Sequence, residues 1–342
     1  MRLALLTPVA AIVLSACQSG GFRAPAAPAD PRAPAVVYSP GYRIRLLGLE
    51  RLHPFDIRKY DRIYRALEED GSLDSAAVIE PEPLPDSDIL RVQNEAFLES
   101  LHHPRTVAAY LEAPAAALVP APLLERGMIK PFRLASGGTL LAGREALRRG
   151  LAINLGGGYH HAKPDRGEGF CLFADIPIAI QRLRADGLIR RAAVIDLDVH
   201  QGNGTALCLA GDAEAFTFSM HQGDIYPIPK EHGDLDVELA AGTGDAEFLA
   251  TLDQHLNPAL DRARPDIVFY VAGCDTLAGD PLASLTMTAG GIVARDRRVI
   301  GACRLRGIPV VVTLGGGYSE HAWEAQFQSI RAILQDCLAL RL

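Results

Sequence analysis

The segment Ile195-Asp196-Leu197-Asp198-Val199-His200-Gln201-Gly202-Asn203-Gly204 sets two carboxylates and an imidazole at alternating positions of an apolar run. Side chains alternate faces along a strand, so Asp196, Asp198 and His200 are expected on one face. Burying that set is costly unless something positive sits among it. A divalent metal ion meets the need. Taken singly, each residue reads as a strand-end cap or a core histidine; the triplet is what points to a metal.

Three more apolar runs end in the same manner. Ala152-Ile153-Asn154-Leu155 leads into Gly156-Gly157-Gly158-Tyr159-His160-His161. Ile267-Val268-Phe269-Tyr270-Val271-Ala272 leads into Gly273-Cys274-Asp275, and Val310-Val311-Val312-Thr313-Leu314 into Gly315-Gly316-Gly317-Tyr318. Glycines there let the backbone turn tightly and approach a ligand. No phosphate-loop pattern is present.

The parts assemble into one reaction. Asp198, His200 and Asp275 make three ligands of a catalytic ion that keeps a position open for water and substrate. Such an ion lowers the pKa of its water and polarises a carbonyl. His160 and His161 are adjacent and project differently. One can take the proton of the attacking water; the other can hold positive charge or protonate a leaving amine. Tyr318 can donate a hydrogen bond to the developing oxyanion. This is metal-assisted hydrolysis of an amide.

These residues need a sheet to hold them. Apolar runs of strand length fall at 36–38, 152–155, 192–197, 215–219, 267–272 and 309–314, several of them apolar on both faces. Helical patterns lie at about 56–69, 87–101, 138–149, 176–185, 246–263, 291–306 and 322–339. The alternation predicts an α/β fold: one doubly wound, mostly parallel sheet with helices on both faces. Ligands of such folds bind beyond the carboxyl ends of the strands.

The ends of the chain read differently. Met1-Arg2, the apolar run 3–14 and Leu14-Ser15-Ala16-Cys17 resemble a bacterial lipoprotein signal peptide over residues 1–17, with Cys17 lipidated. The run is too short to span a membrane as a helix. Residues 18–35 are rich in Ala and Pro and form an expected tether, followed by a catalytic domain over 36–342. This organisation predicts an enzyme lipid-anchored in the bacterial cell envelope, at the outer membrane and facing the periplasm. Without a working leader it would be cytoplasmic. Net charge is −7 with no basic run, which argues against nucleic acid as a partner. Past Cys17 the cysteines show no paired spacing and read as small buried hydrophobes.

The four strand ends together, in order and spacing, resemble the zinc-dependent histone deacetylase superfamily. Tyr38-Ser39-Pro40, Leu49-Glu50-Arg51-Leu52-His53-Pro54-Phe55-Asp56 and Asp280-Pro281-Leu282 look most like its class IV branch. The resemblance implies an arginase/deacetylase-like fold, with zinc (iron(II) as an alternative) on Asp198, His200 and Asp275. It implies His160 and His161 as tandem catalytic histidines and Tyr318 as the transition-state tyrosine. Asp196 would orient His160 and Asn203 would orient His161. Asn203 stands where class I members carry Asp, so His161 is expected to be the readier general base. A structural potassium ion is implied at Asp196, Asp198, His200, Ser219 and Met220. Gly169, Phe170 and Tyr226 would line the acyl-lysine tunnel.

The expected activity is removal of acetyl or long fatty acyl groups from lysine side chains of proteins or peptides. Acetylpolyamines and other small acylated amines are the alternative substrates, and a non-catalytic ligand-binding domain is the alternative of another class. A dinuclear site is disfavoured, since Gly202 stands where a further Asp ligand would be needed. His221 and His232 read as surface or supporting residues, His53-Pro54 as a turn at the cleft rim, and Trp323 as a core helix residue.

Overall fold

The computed structural model describes residues 33–74 and 77–339. The leader over 1–17, its Cys17 and most of the expected tether lie outside the described residues. Eight strands form one sheet: β1 (Ala35–Val37), β2 (Val78–Ile79), β3 (Leu151–Asn154), β4 (Ala192–Asp196), β5 (Ala215–Gln222), β6 (Leu235–Leu239), β7 (Ile267–Val271) and β8 (Val310–Thr313). Their order is β2-β1-β3-β8-β7-β4-β5-β6, and every neighbouring pair is parallel. Ala35, assigned to the tether, is already paired with Ala152.

Helices cover both faces, and the alternation of side chains along the strands feeds two cores. Ile195, Val268 and Tyr270 pack with residues of α1 (Lys59–Glu69), α9 (Asp245–Ala263), α10 (Ala289–Leu305) and α11 (Ala322–Ala339). Val194, Ile267 and Phe269 face the other way, toward α3 (Glu95–Ser100), α4 (Pro104–Tyr110), α6 (Lys130–Arg149) and α7 (Asp175–Ala185). Both faces of β4 and β7 are therefore dry, which is why these strands are apolar up to Asp196 at the end of β4.

Several elements depart from expectation. The helix expected over 87–101 is two, α2 (Asp86–Ile89) and α3, because Asn94 Oδ1 accepts from Phe97 N at 2.8 Å and caps a fresh helix. α6 begins at Lys130, not at 138. Its glycine pair is interior: a Cβ at Gly137 would lie 1.9 Å from the Glu82 carbonyl, and one at Gly138 would lie 2.0 Å from Tyr42 Oη. A short α5 (Ala121–Leu124) and α8 (Asn203–Cys208) complete the set, and Asn203 is the first residue of α8. Strands β2 and β6 were not foreseen. β2 has two residues, and β6 alternates partly buried with exposed positions along most of its length, as an edge strand does.

Candidate active site

The strands β3, β8, β7 and β4 are adjacent at the centre of the sheet, so their carboxyl ends open onto one place. Only Asp196 of the expected alternating triplet lies on a strand. Past it the chain leaves the sheet: Asp198 N donates to Asp196 Oδ1 at 3.1 Å, and His200 N to Asp198 Oδ1 at 3.1 Å. Each carboxylate thus folds back on the backbone two residues later. These turns, not strand pleating, hold the segment at the rim.

Asp198, His200 and Asp275 come together with ligand atoms within 4.8 Å of one another. Asp275 arrives from β7, the neighbour of β4. His200 Nδ1 lies 3.3 Å from Asp198 Oδ1 and 3.2 Å from Asp275 Oδ2. Gly316 N donates to Asp198 Oδ2 at 2.7 Å, and Val199 N donates to Asp275 Oδ1 at 2.9 Å. Both carboxylates are fully buried. Burial, and then the neighbouring Asp198 charge, push the Asp275 carboxyl above the usual carboxylate range. Two buried carboxylates and an imidazole converging in this way fit a divalent cation. The approach is close enough to require glycine on two sides. A Cβ at Gly273 would lie 2.1 Å from Asp198 Oδ2, and one at Gly316 would lie 2.0 Å from Asp275 Oδ2. A Cβ at Gly202 would meet Asp196 Oδ2 at 2.3 Å, so a larger residue has no room there.

His160 and His161 follow β3. Their rings are 4.0 Å apart and both are buried. His160 Nδ1 meets Asp196 Oδ2 at 2.7 Å, and His161 Nδ1 meets Asn203 Oδ1 at 2.7 Å. Burial opposes a charge on His160, but the Asp196 and Asp198 carboxylates outweigh it and hold the ring up at about 9. His161 goes the other way. Burial, then the charges of His160 and His200, hold it well below the usual imidazole range.

Tyr318 ends the β8 loop, with its N–H on Asp280 Oδ2 at 2.8 Å. Its ring stands edge-on to Phe55, Phe170 and His200, with centroids 5.8–6.1 Å away. A cavity of about 130 Å³ opens here, lined by His160, His161, Gly169, Phe170 and Tyr318. The same cavity is also lined by Tyr42, Ile44, Leu46, Met128 and Phe132. Tyr226 is half outside: its ring packs on His161 at 4.9 Å while its side chain reaches the surface. Gly169 and Phe170 both have positive φ, 53° and 66°, between the paired residues Glu168 and Cys171. This two-residue reversal swings Phe170 against His53, at a centroid distance of 4.4 Å.

Four supporting residues escaped the sequence reading. Asp175 accepts from Gly158 N and Tyr159 N, both at 2.9 Å, and fixes the glycine loop before the histidines. Buried Lys59 donates to the carbonyls of Gly315 and Gly316 at 3.0 and 2.9 Å. Buried Arg295 donates to the carbonyls of Leu197 and Gly273, tying the β4 and β7 ends together. Glu168 stands behind Asn203, with Asn203 Nδ2 donating to it at 3.1 Å. The bonds that tie them to the site reach partners distant in sequence, so no local pattern marks them.

Ser219 on β5 is in register with Asp196, and Met220 follows it, fully buried. His221 is also fully buried, not on the surface, with Nδ1 2.9 Å from Ser219 Oγ; His232 is exposed. His53 lies at the cavity rim with Nε2 2.9 Å from the Leu111 carbonyl. Trp323 is only partly buried, under the Arg62 guanidinium. Cys171, Cys274, Cys303 and Cys337 are buried, and Cys208 is partly buried. No helix among the described residues is long and apolar enough to cross a membrane.

A doubly wound parallel sheet with an Asp-His-Asp group, paired histidines and a tyrosine at its carboxyl edge defines a hydrolase acting on amide bonds. The chain belongs to the histone deacetylase domain family, whose model matches residues 53–334. It is 40% identical to histone deacetylase 2 of Arabidopsis thaliana over 291 residues, 83% of this chain and 74% of that protein. It is 32% identical to a histone deacetylase-like amidohydrolase of Pseudomonas aeruginosa over 257 residues, 70% of this chain and 65% of that one. The crystal structure of the HDA15 HD domain matches with a TM-score of 0.74 at 20% identity, covering 90% of this chain and 89% of that one. That likeness supports the fold.

Proposed function

We propose that this protein is a zinc-dependent deacylase of acyl-lysine side chains in proteins or peptides, with long fatty acyl groups as the acyl groups it prefers to remove. Asp198, His200 and Asp275 would hold the ion, which when bound supplies Lewis-acid polarisation of the carbonyl and a more acidic water. His161, uncharged at neutral pH, takes the proton from the attacking water. His160, charged by its pairing with Asp196, gives a proton to the leaving amine. Tyr318 donates to the oxygen on which charge develops. Glycine and aromatic walls at Gly169, Phe170 and Tyr226 guide the lysine stem. Iron(II) suits the same donors. Asp196, Asp198, His200, Ser219 and Met220 are the proposed potassium site.

One observation carries the acyl-length reading: the cavity that His160 and His161 line is also walled by Tyr42, Ile44, Leu46, Met128 and Phe132. A two-carbon acetyl group leaves those walls unused, whereas burying each methylene of a long chain contributes about 0.8 kcal/mol. Exposed Glu112 also lines the cavity and favours a cationic small substrate, an acetylpolyamine, as the second reading. The test is turnover of acetyl-lysine peptide, myristoyl-lysine peptide and acetylputrescine by one preparation, with bound metal measured on it. The proposal predicts the highest kcat/KM for the myristoyl peptide and one zinc per chain. Preference for acetylputrescine would replace it. The leader and Cys17 further support placement in the bacterial envelope through a lipid anchor, with membrane contact only there; labelling with a fatty acid analogue and its loss in Cys17→Ser tests that. The class IV assignment follows the loop motifs and Asn203.

A further inference from the structure

His161 is held by an amide, and an amide has two faces. If Asn203 presents its oxygen, His161 carries its proton on Nδ1 and keeps a lone pair on Nε2. If the amide is reversed, its NH2 faces Nδ1, the proton moves to Nε2, and the ring has no lone pair there to accept a proton from water. The two orientations have nearly the same shape, so packing alone does not choose between them. Something must set the direction.

The surroundings of Asn203 name it. Glu168 Oε1 accepts from Asn203 Nδ2 at 3.1 Å and from the Tyr226 hydroxyl at 2.8 Å. Its other oxygen, Oε2, faces two cations, Lys163 Nζ at 2.9 Å and Arg166 Nε at 3.2 Å. Lys163 is itself buried and has a second, looser carboxylate at Glu231, 3.9 Å away. Glu168 is three-quarters buried, and its backbone is pinned by reciprocal bonds with Cys171 at 3.0 and 2.9 Å across the Gly169-Phe170 reversal. An ionised carboxylate only accepts hydrogen bonds. It therefore requires a donor from Asn203, and the amide oxygen is left for His161.

We infer that Glu168 is a positioning residue for the hydrolysis, setting the tautomer of His161 through the orientation of the Asn203 amide. The chain of bonds runs from Lys163 and Arg166 to Glu168, to Asn203, to His161 Nδ1. Charge at the surface end fixes which nitrogen of a buried ring is free. Its two inner links are distant in sequence: Glu168 and Asn203 are 35 residues apart, and Asn203 and His161 are 42. The inference rests on His161 being the base, as proposed above.

Glu168→Gln tests it with almost no change of shape. Lys163 and Arg166 both donate, so they claim the carbonyl oxygen of the new amide and turn its NH2 toward Asn203. Asn203 must then offer its oxygen to that NH2 and its own NH2 to His161. The expected result is a loss in kcat of about 10–100-fold, the usual range for partners that orient a catalytic group, with little change in KM. Adding Asn203→Asp gives a side chain with no donor and no direction. One oxygen accepts from the glutamine amide and the other from His161 Nδ1, so the double variant regains most of the lost kcat. Nitrogen-15 histidine spectra, with the His161 signal assigned by its loss in His161→Ala, report the tautomer independently of turnover. Wild type shows Nδ1–H, Glu168→Gln shows Nε2–H, and the double variant shows Nδ1–H again. Unchanged kcat in Glu168→Gln, no rescue in the double variant, or one tautomer in all three overturns the inference. If His161→Ala keeps wild-type turnover, the base assignment fails instead; the spectra still decide the role of Glu168.

Discussion

His160 and His161 place their Nδ1 atoms at the same 2.7 Å from a side-chain oxygen, but the oxygen is the Asp196 carboxylate's for one and the Asn203 amide's for the other. A carboxylate stabilises an imidazolium; an amide orients a ring without doing so. Two neighbouring rings of like chemistry are thereby driven to opposite charge states. The reaction needs this division, with one group to accept a proton and one to supply it.

The first prediction alters that division. A carboxylate at position 203 would raise His161 from its depressed value, which burial and the His160 and His200 charges now hold down. The change is best read beside Glu168→Gln, so that the new carboxylate has no like charge next to it. A base works when neutral, so the rate rises as pH passes its pKa. Raising that pKa moves the rising limb of kcat/KM to higher pH in the double variant than in wild type. A limb that stays in place would show that His161 is not the titrating base.

Tyr318→Phe removes one hydroxyl from a ring whose position is set by Phe55, Phe170 and the Asp280 bond to its backbone. None of those contacts needs the oxygen. We expect kcat to fall by about 100–1,000-fold, the range for losing one oxyanion donor, with KM and melting temperature almost unchanged. A matching rise in KM would instead assign Tyr318 to substrate binding.

How far the sequence revealed this site depends on the range of each interaction. The glycine-rich strand ends and the residues Asp198, His200, Asp275, His160, His161 and Tyr318 are visible because each sits beside its own apolar run. The sheet follows from those runs, although β6 hides among charges because an edge strand has one wet side. Of the period-two triplet, Asp198 and His200 converge with Asp275 while Asp196 turns to His160, and the pattern's reason fails, since the chain leaves β4 at Asp196 and turns back on its own carboxylates. Lys59, Asp175, Glu168 and Arg295 were invisible. A buried charge explains itself only through its partners, and those of Lys59 lie 256 and 257 residues away.

The acyl branch can be closed selectively. Met128 lines the cavity from the segment before α6, and Phe132 beside it packs on Tyr159 at 4.9 Å. Met128→Trp should fill the branch and lower kcat/KM for myristoyl-lysine peptide by tenfold or more. Each excluded methylene is worth about 1–3 kcal/mol in such a pocket, so the loss should be clear. Acetyl-lysine turnover should change little. Equal loss on both substrates would mean that the branch does not hold the acyl chain.

Asp275→Asn keeps an oxygen for the Val199 N–H but removes one of the two charges that attract a cation. Zinc added to wild-type protein should raise its melting temperature, because a ligand of the folded state alone stabilises by mass action. The variant should lose most of that increment together with turnover. Retained zinc stabilisation in Asp275→Asn would move the metal site elsewhere.

His53 gives a pH dependence away from the ion. Burial holds its imidazole below the usual value, and the Leu111 carbonyl only partly offsets this. The neutral ring is the one the fold prefers, standing edge-on to Phe170 at 4.4 Å. Its contribution to stability is therefore complete above the unfolded value of about 6.5 and is lost as pH falls through that value toward the folded one. Glutamine at this position can still donate to Leu111 but does not titrate. Denaturant unfolding of wild type and His53→Gln from pH 7.5 to 5 should show wild type losing stability faster on acidification. One proton sets a ceiling of about 1.4 kcal/mol per pH unit, and partial exposure of the ring keeps the difference below it. Parallel pH curves would mean that the ring protonates as easily in the folded protein as in the unfolded chain.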